Sequence, residues 1–376
     1  MRPLRVIDLF AGAGGFSEGF RVAGGYEIVA AAEKDPTACR TLAVNHPETP
    51  ILPETDLRFV SAHDLELLSD CSADLVIAGP PCQGFSLKGT RDPAHESTEL
   101  LFDTVRLIAE LEPVAFLIEN VPGLMSFRRG LVVDRLMRRL NALRVTGRRY
   151  HVTIDTLDAA AYGVPQHRKR VFVCGVLASD YAWPMPIRDR ISLIDAIGDL
   201  PEWTTRANEI ARLPPGEPLT SYQRGRRRGA TALYNHSAKR LKERRLERIA
   251  HLAEGDDRRA LPDHLQTGGH EGKYRRLRSG APAPTIVAHM AKDTSDFVHP
   301  RYERMLTVRE AARLQSFPDR YRFAGSQYQQ FRQVGNAVPV LLAAALADSL
   351  ELPLRRAVRK LHFGARTIAA RRAITA

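Results

Sequence analysis

Six short runs of β-branched and aliphatic residues recur between Arg5 and Leu177: "RVIDLF" (5–10), "EIVAAAE" (27–33), "ADLVIAG" (73–79), "AFLIEN" (115–120), "YHVTIDTLD" (150–158) and "RVFVCGVL" (170–177). Between them lie the longer amphipathic stretches "GFSEGFRVAG", "DPTACRTLAVNH", "LLFDTVRLIAEL" and "LVVDRLMRRLNAL". Strand and helix periods alternating in this way are the pattern of βα units around a parallel sheet, with helices on both faces. An open, doubly wound α/β domain is the expected fold. The 376 residues suffice for that domain and a smaller second one, with a core that needs no disulfide or metal staple.

After about Ala178 the alternation stops. The segments "YAWPMP", "ARLPPGEPL", "RGRRRG" (224–229) and "KRLKERRLER" (239–248) replace it. Ser221 to Gly280 holds 16 Lys+Arg against 7 Asp+Glu, so +9 of the chain's +12 falls in this stretch. A solvated helix face explains one such run, but the clustering points to a binding surface for a polyanion, nucleic acid first. Helical spacing returns in "MLTVREAARLQSF" and "VGNAVPVLLAAALADSL", which predicts that the chain comes back to pack on the first domain. The tail after Leu352 carries seven Arg or Lys and no acid. We therefore expect residues 1–180 as a catalytic domain, 181–300 as a basic second domain, 301–352 as a return segment and 353–376 as a basic tail.

The four cysteines, Cys39, Cys71, Cys82 and Cys174, form no CxxC pair, which predicts a reduced, cytoplasmic protein without a zinc site. "MRPLR" runs directly into the first strand and leaves no room for a signal peptide. The apolar stretch Val340–Leu354 is interrupted by Asp348 and Glu351 and is too short for a bilayer.

"DLFAGAGGFSEGF" places Gly12, Gly14 and Gly15 between the first strand and first helix, where glycine lets backbone approach a ligand. Glu33 closes the second strand and is positioned to accept hydrogen bonds from ribose hydroxyls; Asp56 falls near the end of a third strand. The spacing is not GxGxxG, which weakens a dinucleotide reading. "GPPCQGFS" sets Cys82 behind two prolines that hold it in a non-helical geometry at a strand end. The polar stretch after it is long for a βα connection, as a mobile lid would be. Glu119 ends the next strand, and in "QHRKR" Gln166, Arg168 and Arg170 alternate so as to share one face. A thiol, a carboxylic acid and guanidinium groups thus converge at successive strand ends. A thiolate adds to carbon 6 of a cytosine whose nitrogen 3 is protonated by an acid, and carbon 5 then accepts a methyl group from a sulfonium donor.

"DLFAGAGG", "GPPCQGFS", "ENVPG", "QHRKR", "LTVREAARLQSFP" and "VGNAVP" together resemble the ordered motif set of the DNA cytosine-5 methyltransferases. The resemblance implies a Rossmann-like S-adenosylmethionine-dependent domain with a doubly wound mixed sheet, and a smaller target-recognition domain. Double-stranded DNA lies in the cleft between, its target cytosine flipped out. By the same resemblance Cys82 is the nucleophile, Glu119 engages nitrogen 3 and the exocyclic amine, and Arg168 and Arg170 hold the base and orient Glu119. Phe10, Gly12, Gly14, Glu33, Asp56, Leu57, Pro81, Leu100 and Asn336 would line S-adenosylmethionine.

Three positions depart from the family pattern. Val340 follows Pro339 where a second proline is usual, Lys34 stands where an aromatic residue often covers the adenine, and "HESTELL" lacks the usual Arg-Asn before Leu100. The expected enzyme is a monomeric, nucleoid-associated methylase, orphan or paired with a restriction endonuclease that acts separately. An RNA cytosine methyltransferase, a silent DNA-binding protein and a dinucleotide oxidoreductase are the alternatives.

Overall fold

In the computed structural model the alternation becomes one eight-stranded sheet, and the structure describes residues 1–81, 96–206, 209–213, 220–269, 272–291 and 297–374. The strands are β1 (Leu4–Leu9), β2 (Tyr26–Glu33), β3 (Ile51–Pro53), β4 (Leu75–Ala78), β5 (Ala115–Asn120), β6 (Arg144–Val145), β7 (Arg148–Asp158) and β8 (Lys169–Leu177), in the order β3-β2-β1-β4-β5-β8-β7-β6. The first five run parallel, as the βα pattern predicts. The last three are antiparallel. Only residues 159–168 separate β7 from β8, too few for a parallel crossover, so that pair closes as a hairpin. The chain fills β2 and β3 on one side of β1 and then returns to its other side as β4. A crevice opens at such a reversal, outside the carboxyl ends of β1 and β4.

The central strands are buried on both faces, which is why they read as continuous apolar runs. Along β4, Leu75 and Ile77 join one core while Val76 and Ala78 join the other. Helices α1 (Gly15–Ala23), α2 (Pro36–Asn45), α3 (Ala62–Ser69), α4 (Glu96–Leu111), α5 (Gly123–Ser126) and α6 (Leu131–Ala142) follow the strands in order. Leu101, Val105 and Ile108 of α4 and Leu136 and Leu140 of α6 build the core on one face. The other is built by α1 and by a helix from the end of the chain, through Phe16, Phe20, Leu342, Leu346 and Leu350.

Residues 181–306 add α7 (Leu193–Ile197), α8 (Ser221–Arg227) and α9 (Glu243–Ala250), with a satellite core of Ile249, Leu252, Leu261, Leu265, Tyr274, Val298 and Met305. Part of the positive charge here turns inward. Arg226 donates to the Ser316 carbonyl, Arg227 Nε lies 2.6 Å from Asp199 Oδ2, and Arg276 donates to the Pro300 and Ile249 carbonyls at 3.1 and 2.9 Å.

The return segment supplies α10 (Val308–Leu314), α11 (Gln327–Asn336) and α12 (Val340–Ile374). Sequence spacing runs straight through "VGNAVPVLL", but the chain breaks between α11 and α12, because Pro339 excludes the helical conformation at the residue before it. Leu342, Leu346, Leu350 and Leu354 are fully buried at four-residue spacing, so the apolar face of α12 is spent on the protein's own core. Arg313 of α10 is wholly buried and fixed by Asp319 at 2.5 and 2.6 Å, by Asp199 at 3.0 Å and by the Ala196 carbonyl. Arg309 donates to the carbonyls of Tyr234, Pro318 and Tyr321. This segment is therefore a polar pin between the sheet domain and residues 196–236.

The α1–α12 contact is tight enough to test. A Cβ at Gly19 would stand 2.3 Å from Ala343 Cβ and 2.8 Å from the Val340 carbonyl oxygen. Alanine favours a helix interior by about 1 kcal/mol over glycine, yet here the clash is with backbone and the helices must separate. Gly19→Ala is expected to lose about 1–3 kcal/mol of stability in urea unfolding, and a gain instead would mean the two helices have room to adjust.

Candidate active site

The glycines after β1 serve two different needs. Gly14 has φ +80, and a Cβ there would meet Tyr321 Oη at 2.5 Å and Leu42 Cδ1 at 2.6 Å, so it is kept small by the return segment and α2. Gly12 has φ +56 and its missing Cβ points into open space, with nothing within 4 Å. Gly12 is the glycine that leaves room for a ligand.

Glu33, at the end of β2, accepts from Gly12 N at 2.8 Å and from Asp35 N at 2.7 Å. A carboxylate has about four acceptor directions, so these N–H groups do not exhaust Glu33 as an acceptor. Burial pushes its carboxyl up against the pull of the Gly12 and Lys34 N–H groups and of Arg332. Asp56 is different. Its Oδ1 accepts from Arg58 N at 3.1 Å and Nε at 3.0 Å, and its Oδ2 from Arg58 Nη2 at 2.6 Å and Lys34 Nζ at 2.8 Å. All four directions are taken, and the Arg58 hydrogen bonds, with Lys34, hold its carboxyl well below the usual range despite burial.

The row continues along the carboxyl edge of the sheet. A Cβ at Gly79, just past β4, would stand 3.8 Å from Glu119 Oε2 and 4.0 Å from the Phe10 carbonyl oxygen. Phe10 itself takes φ +58, a conformation most side chains avoid, at the mouth of the crevice. The Gly79 N–H reaches the Leu9 carbonyl at 3.2 Å, and Asn120 Nδ2 reaches the Pro80 carbonyl at 3.4 Å, so the exit of β4 is anchored up to Pro81. Cys82 is the next residue and lies outside the described residues, as does the polar stretch read as a lid up to residue 95; the end of that stretch, from Glu96, opens α4.

Glu119 is paired with Arg170, Nε to Oε1, at 2.9 Å, and both side chains are almost buried. Burial raises the Glu119 carboxyl above its ordinary value, while the charges of Arg170 and then Arg168 pull it down. The sequence reading puts both arginines on one face, and the structure gives them different partners. Arg168 is buried and donates to the Ile286 carbonyl at 2.7 Å and the Gly335 carbonyl at 2.9 Å, joining "APAPTIV" to "VGNAVP". Gln166 ties "APAPTIV" to α10, donating to the Leu314 carbonyl and accepting from Ile286 N.

The remaining cofactor candidates are spread out. Leu57 is in the core, Leu100 is buried in α4 with its carbonyl accepting from Thr104, Pro81 is exposed, and Asn336 is exposed at the end of α11. Two residues at the cleft are absent from the sequence reading. Asp158 and His167 are 2.9 Å apart, Oδ2 to Nδ1, and line an open cleft of ≈ 450 Å³ together with Pro122, Lys169, Arg170 and Thr285. The signal was present as an acid at the end of "YHVTIDTLD" and a histidine in "QHRKR".

A reversal-point crevice with an open glycine turn, a carboxylate acceptor on β2 and an acid–guanidinium pair on β5 and β8 fits an α/β transferase of the methyltransferase class. Residues 4–352 match the family of C-5 cytosine-specific DNA methylases, and the chain belongs to it. It is 36% identical to Type II methyltransferase M.AgeI of Thalassovita gelatinovora, over 93% of this chain and 100% of that protein. It is also 36% identical to Type II methyltransferase M.DdeI of Desulfomicrobium norvegicum, over 92% of this chain and 88% of that one. Among solved structures it resembles a prophage-encoded protein of E. coli described as a DNA modification methyltransferase (TM-score 0.76, 27% identity, 94% and 99% of the two chains). The S. pombe Dnmt2 methyltransferase shares the fold at TM-score 0.57 and 19% identity, over 93% and 99% of the chains. The protein is an S-adenosylmethionine-dependent enzyme that methylates carbon 5 of cytosine in DNA.

Proposed function

We propose that this enzyme methylates one cytosine within a specific double-stranded DNA sequence, flipping that base into the cleft beside Glu119. The observation that carries the reading is the Glu119–Arg170 pair, set at the reversal point directly beside the anchored exit of β4. Cys82, the residue after that exit, is assigned as the nucleophile. As Glu119 donates a proton to nitrogen 3, the Cys82 sulfur bonds to carbon 6 and carbon 5 becomes nucleophilic. Bound S-adenosylmethionine supplies a methyl group on a positively charged sulfur. After transfer a base, with bound water the simplest, takes the carbon 5 proton, the carbon 6–sulfur bond breaks to return the Cys82 thiolate, and nitrogen 3 gives its proton back to Glu119.

Glu33 and Gly12 are assigned to the cofactor's ribose, with Phe10, Gly14, Leu57, Pro81, Leu100 and Asn336 around it. Asp56 is assigned to the adenine amine, which it can accept only if a present donor leaves. Lys34 is the releasable one, because its side chain is 64% exposed. Lys34→Met is expected to tighten binding of S-adenosylhomocysteine about two- to fivefold, the worth of an exposed ion pair. Unchanged or weaker binding by calorimetry would remove Asp56 from the site.

Residues 1–180 and 301–352 would form the catalytic unit, 181–300 the recognition domain and 353–376 a basic tail. The names of the Type II relatives support pairing with a separately acting restriction endonuclease, for a monomeric enzyme on nucleoid DNA. Bisulfite sequencing of a plasmid carrying the expressed gene tests the reading. One cytosine in a single sequence context should resist conversion; full conversion, with label from the cofactor entering only tRNA, overturns it.

A further inference from the structure

We infer that Tyr321 is a positioning residue for S-adenosylmethionine, its hydroxyl holding the glycine turn after β1 in the shape the cofactor meets. The inference rests on the assignment of that turn to the cofactor and adds a residue to it. Gly12 and Gly14 take φ +56 and +80 on either side of Ala13, and glycine gains that freedom by giving up rigidity. A turn built for room therefore has to be fixed by hydrogen bonds.

Three hydrogen bonds do so. Gly12 N donates to Glu33 Oε2 at 2.8 Å, Gly14 N to the Ala11 carbonyl at 2.9 Å, and Tyr321 Oη to the Ala13 carbonyl at 2.5 Å. The last two act on opposite ends of one planar peptide, the one joining Ala13 to Gly14, so it cannot rotate while both are made. The first two come from β2 and from the turn itself, whereas Tyr321 reaches in from the return segment. Tyr321 is held still in turn. It is fully buried, its ring centroid lies 4.8 Å from that of Phe317, 5.5 Å from Phe323 and 5.9 Å from His46, and its carbonyl accepts from Arg309. Arg320 beside it donates to Glu18 of α1, so the segment grips the helix after the turn as well as the turn.

Without the hydroxyl the Ala13 carbonyl is buried and unpaired, which favours rotation of its peptide. Rotation also breaks the Gly14 N–H bond and carries Gly12, the open side of the turn, out of place. The cofactor then binds only the fraction of molecules with the turn in place, and its affinity falls by that fraction. Chemistry in the loaded enzyme is spared, because Tyr321 packs against Gly14 and not against the open side of Gly12.

The test compares Tyr321→Phe with Tyr150→Phe. The Tyr150 hydroxyl makes the same kind of buried bond, to the Pro113 carbonyl at 2.5 Å, at the opposite edge of the sheet. Both variants keep the ring, and both should lower the urea midpoint alike. Binding of S-adenosylhomocysteine by calorimetry should weaken about tenfold in Tyr321→Phe, the worth of one buried hydrogen bond, and stay at the wild-type value in Tyr150→Phe. KM for S-adenosylmethionine should rise with it while kcat at saturating cofactor stays within about twofold, a split that a general loss of stability does not produce. Hydrogen exchange of the Gly14 amide should quicken in Tyr321→Phe alone. Unchanged binding in Tyr321→Phe, or an equal loss in both variants, would overturn the inference. If Tyr321→Phe does not unfold cooperatively, Arg320→Met decides, since its side chain is 31% exposed and the fold should tolerate the change. Binding should then weaken about two- to fivefold, and an unchanged value sinks the positioning role. Gly12→Ala fills the open side of the turn and separates the two readings. Wild-type binding in Gly12→Ala removes the turn from the cofactor site, whereas lost binding there with unchanged binding in Tyr321→Phe removes Tyr321 alone.

Discussion

Replacing Cys82 with serine is expected to reduce methyl transfer by at least about 10⁴-fold, as loss of an attacking nucleophile does, while binding of cofactor and DNA persists. The reason starts with the strand before it. The Gly79 N–H on the Leu9 carbonyl and the Asn120 side chain on the Pro80 carbonyl fix the exit of β4 between β1 and β5, at the point where strand order reverses. A Cβ on Gly79, in that exit, would stand 3.8 Å from Glu119 Oε2, so the exit of β4 and the Glu119 carboxyl are neighbours. A thiol ionises some units below a hydroxyl and is the better nucleophile, so serine keeps the shape and loses the attack. The prediction is checked by single-turnover transfer of tritiated methyl groups, with cofactor affinity measured in parallel. Trapping on DNA containing 5-fluorocytosine should give a covalent adduct with wild type and none with the variant. Turnover within tenfold of wild type would remove the covalent route, and lost cofactor binding would instead report a collapsed strand exit.

Much of this arrangement was legible because it rests on local periodicity. The runs that became β1, β2, β4, β5, β7 and β8 are apolar on both faces or regularly spaced, and helices α1, α2, α4 and α6 fall on the stretches between them. What escaped depends on distant partners. β3 and β6 have three and two residues, too few to show a period. The antiparallel direction of β8 follows from a connection length rather than from any residue in the strand. Gly12 and Gly14 look alike in sequence, and they separate only when Tyr321, far along the chain, packs beside Gly14. In "LTVREAARLQSFP" the charges would be placed on a solvated face, yet Arg309, Glu310 and Arg313 are buried. Their partners, Tyr234, Arg304, Asp199 and Asp319, come from other elements. Basic runs such as "RGRRRG" mislead in the same way, since Arg226 and Arg227 hold the protein together. At the site, strand-end reasoning brings Glu119 and Arg170 to one edge of the sheet, where they lie 2.9 Å apart. The Asp158–His167 pair was missed because its two members belong to different strand ends joined by a hairpin.

Glu119→Gln is expected to lower the rate of transfer roughly 10²–10⁴-fold, the range for a lost general acid, with cofactor affinity nearly unchanged. The amide keeps a hydrogen bond to the base but cannot give nitrogen 3 a proton. In the wild type the carboxyl is balanced between burial, which raises it, and Arg170 and Arg168, which lower it, with burial ahead. The acid must be protonated to act, so activity should fall on the alkaline side as pH rises through its raised value. Arg170→Met removes one of the lowering charges, so the alkaline limb should move to higher pH even as the rate falls from lost orientation. Stability gives an independent reading of the same balance. A carboxyl raised on folding contributes stability that is present below its unfolded value, near 4.3, and is lost as pH rises through the folded value. Relative to Glu119→Gln, wild-type protein should therefore lose stability between acid and alkaline pH in urea unfolding. A flat difference across that range would mean that Arg170 already holds Glu119 fully ionised, and the proton for nitrogen 3 would have to come from another donor.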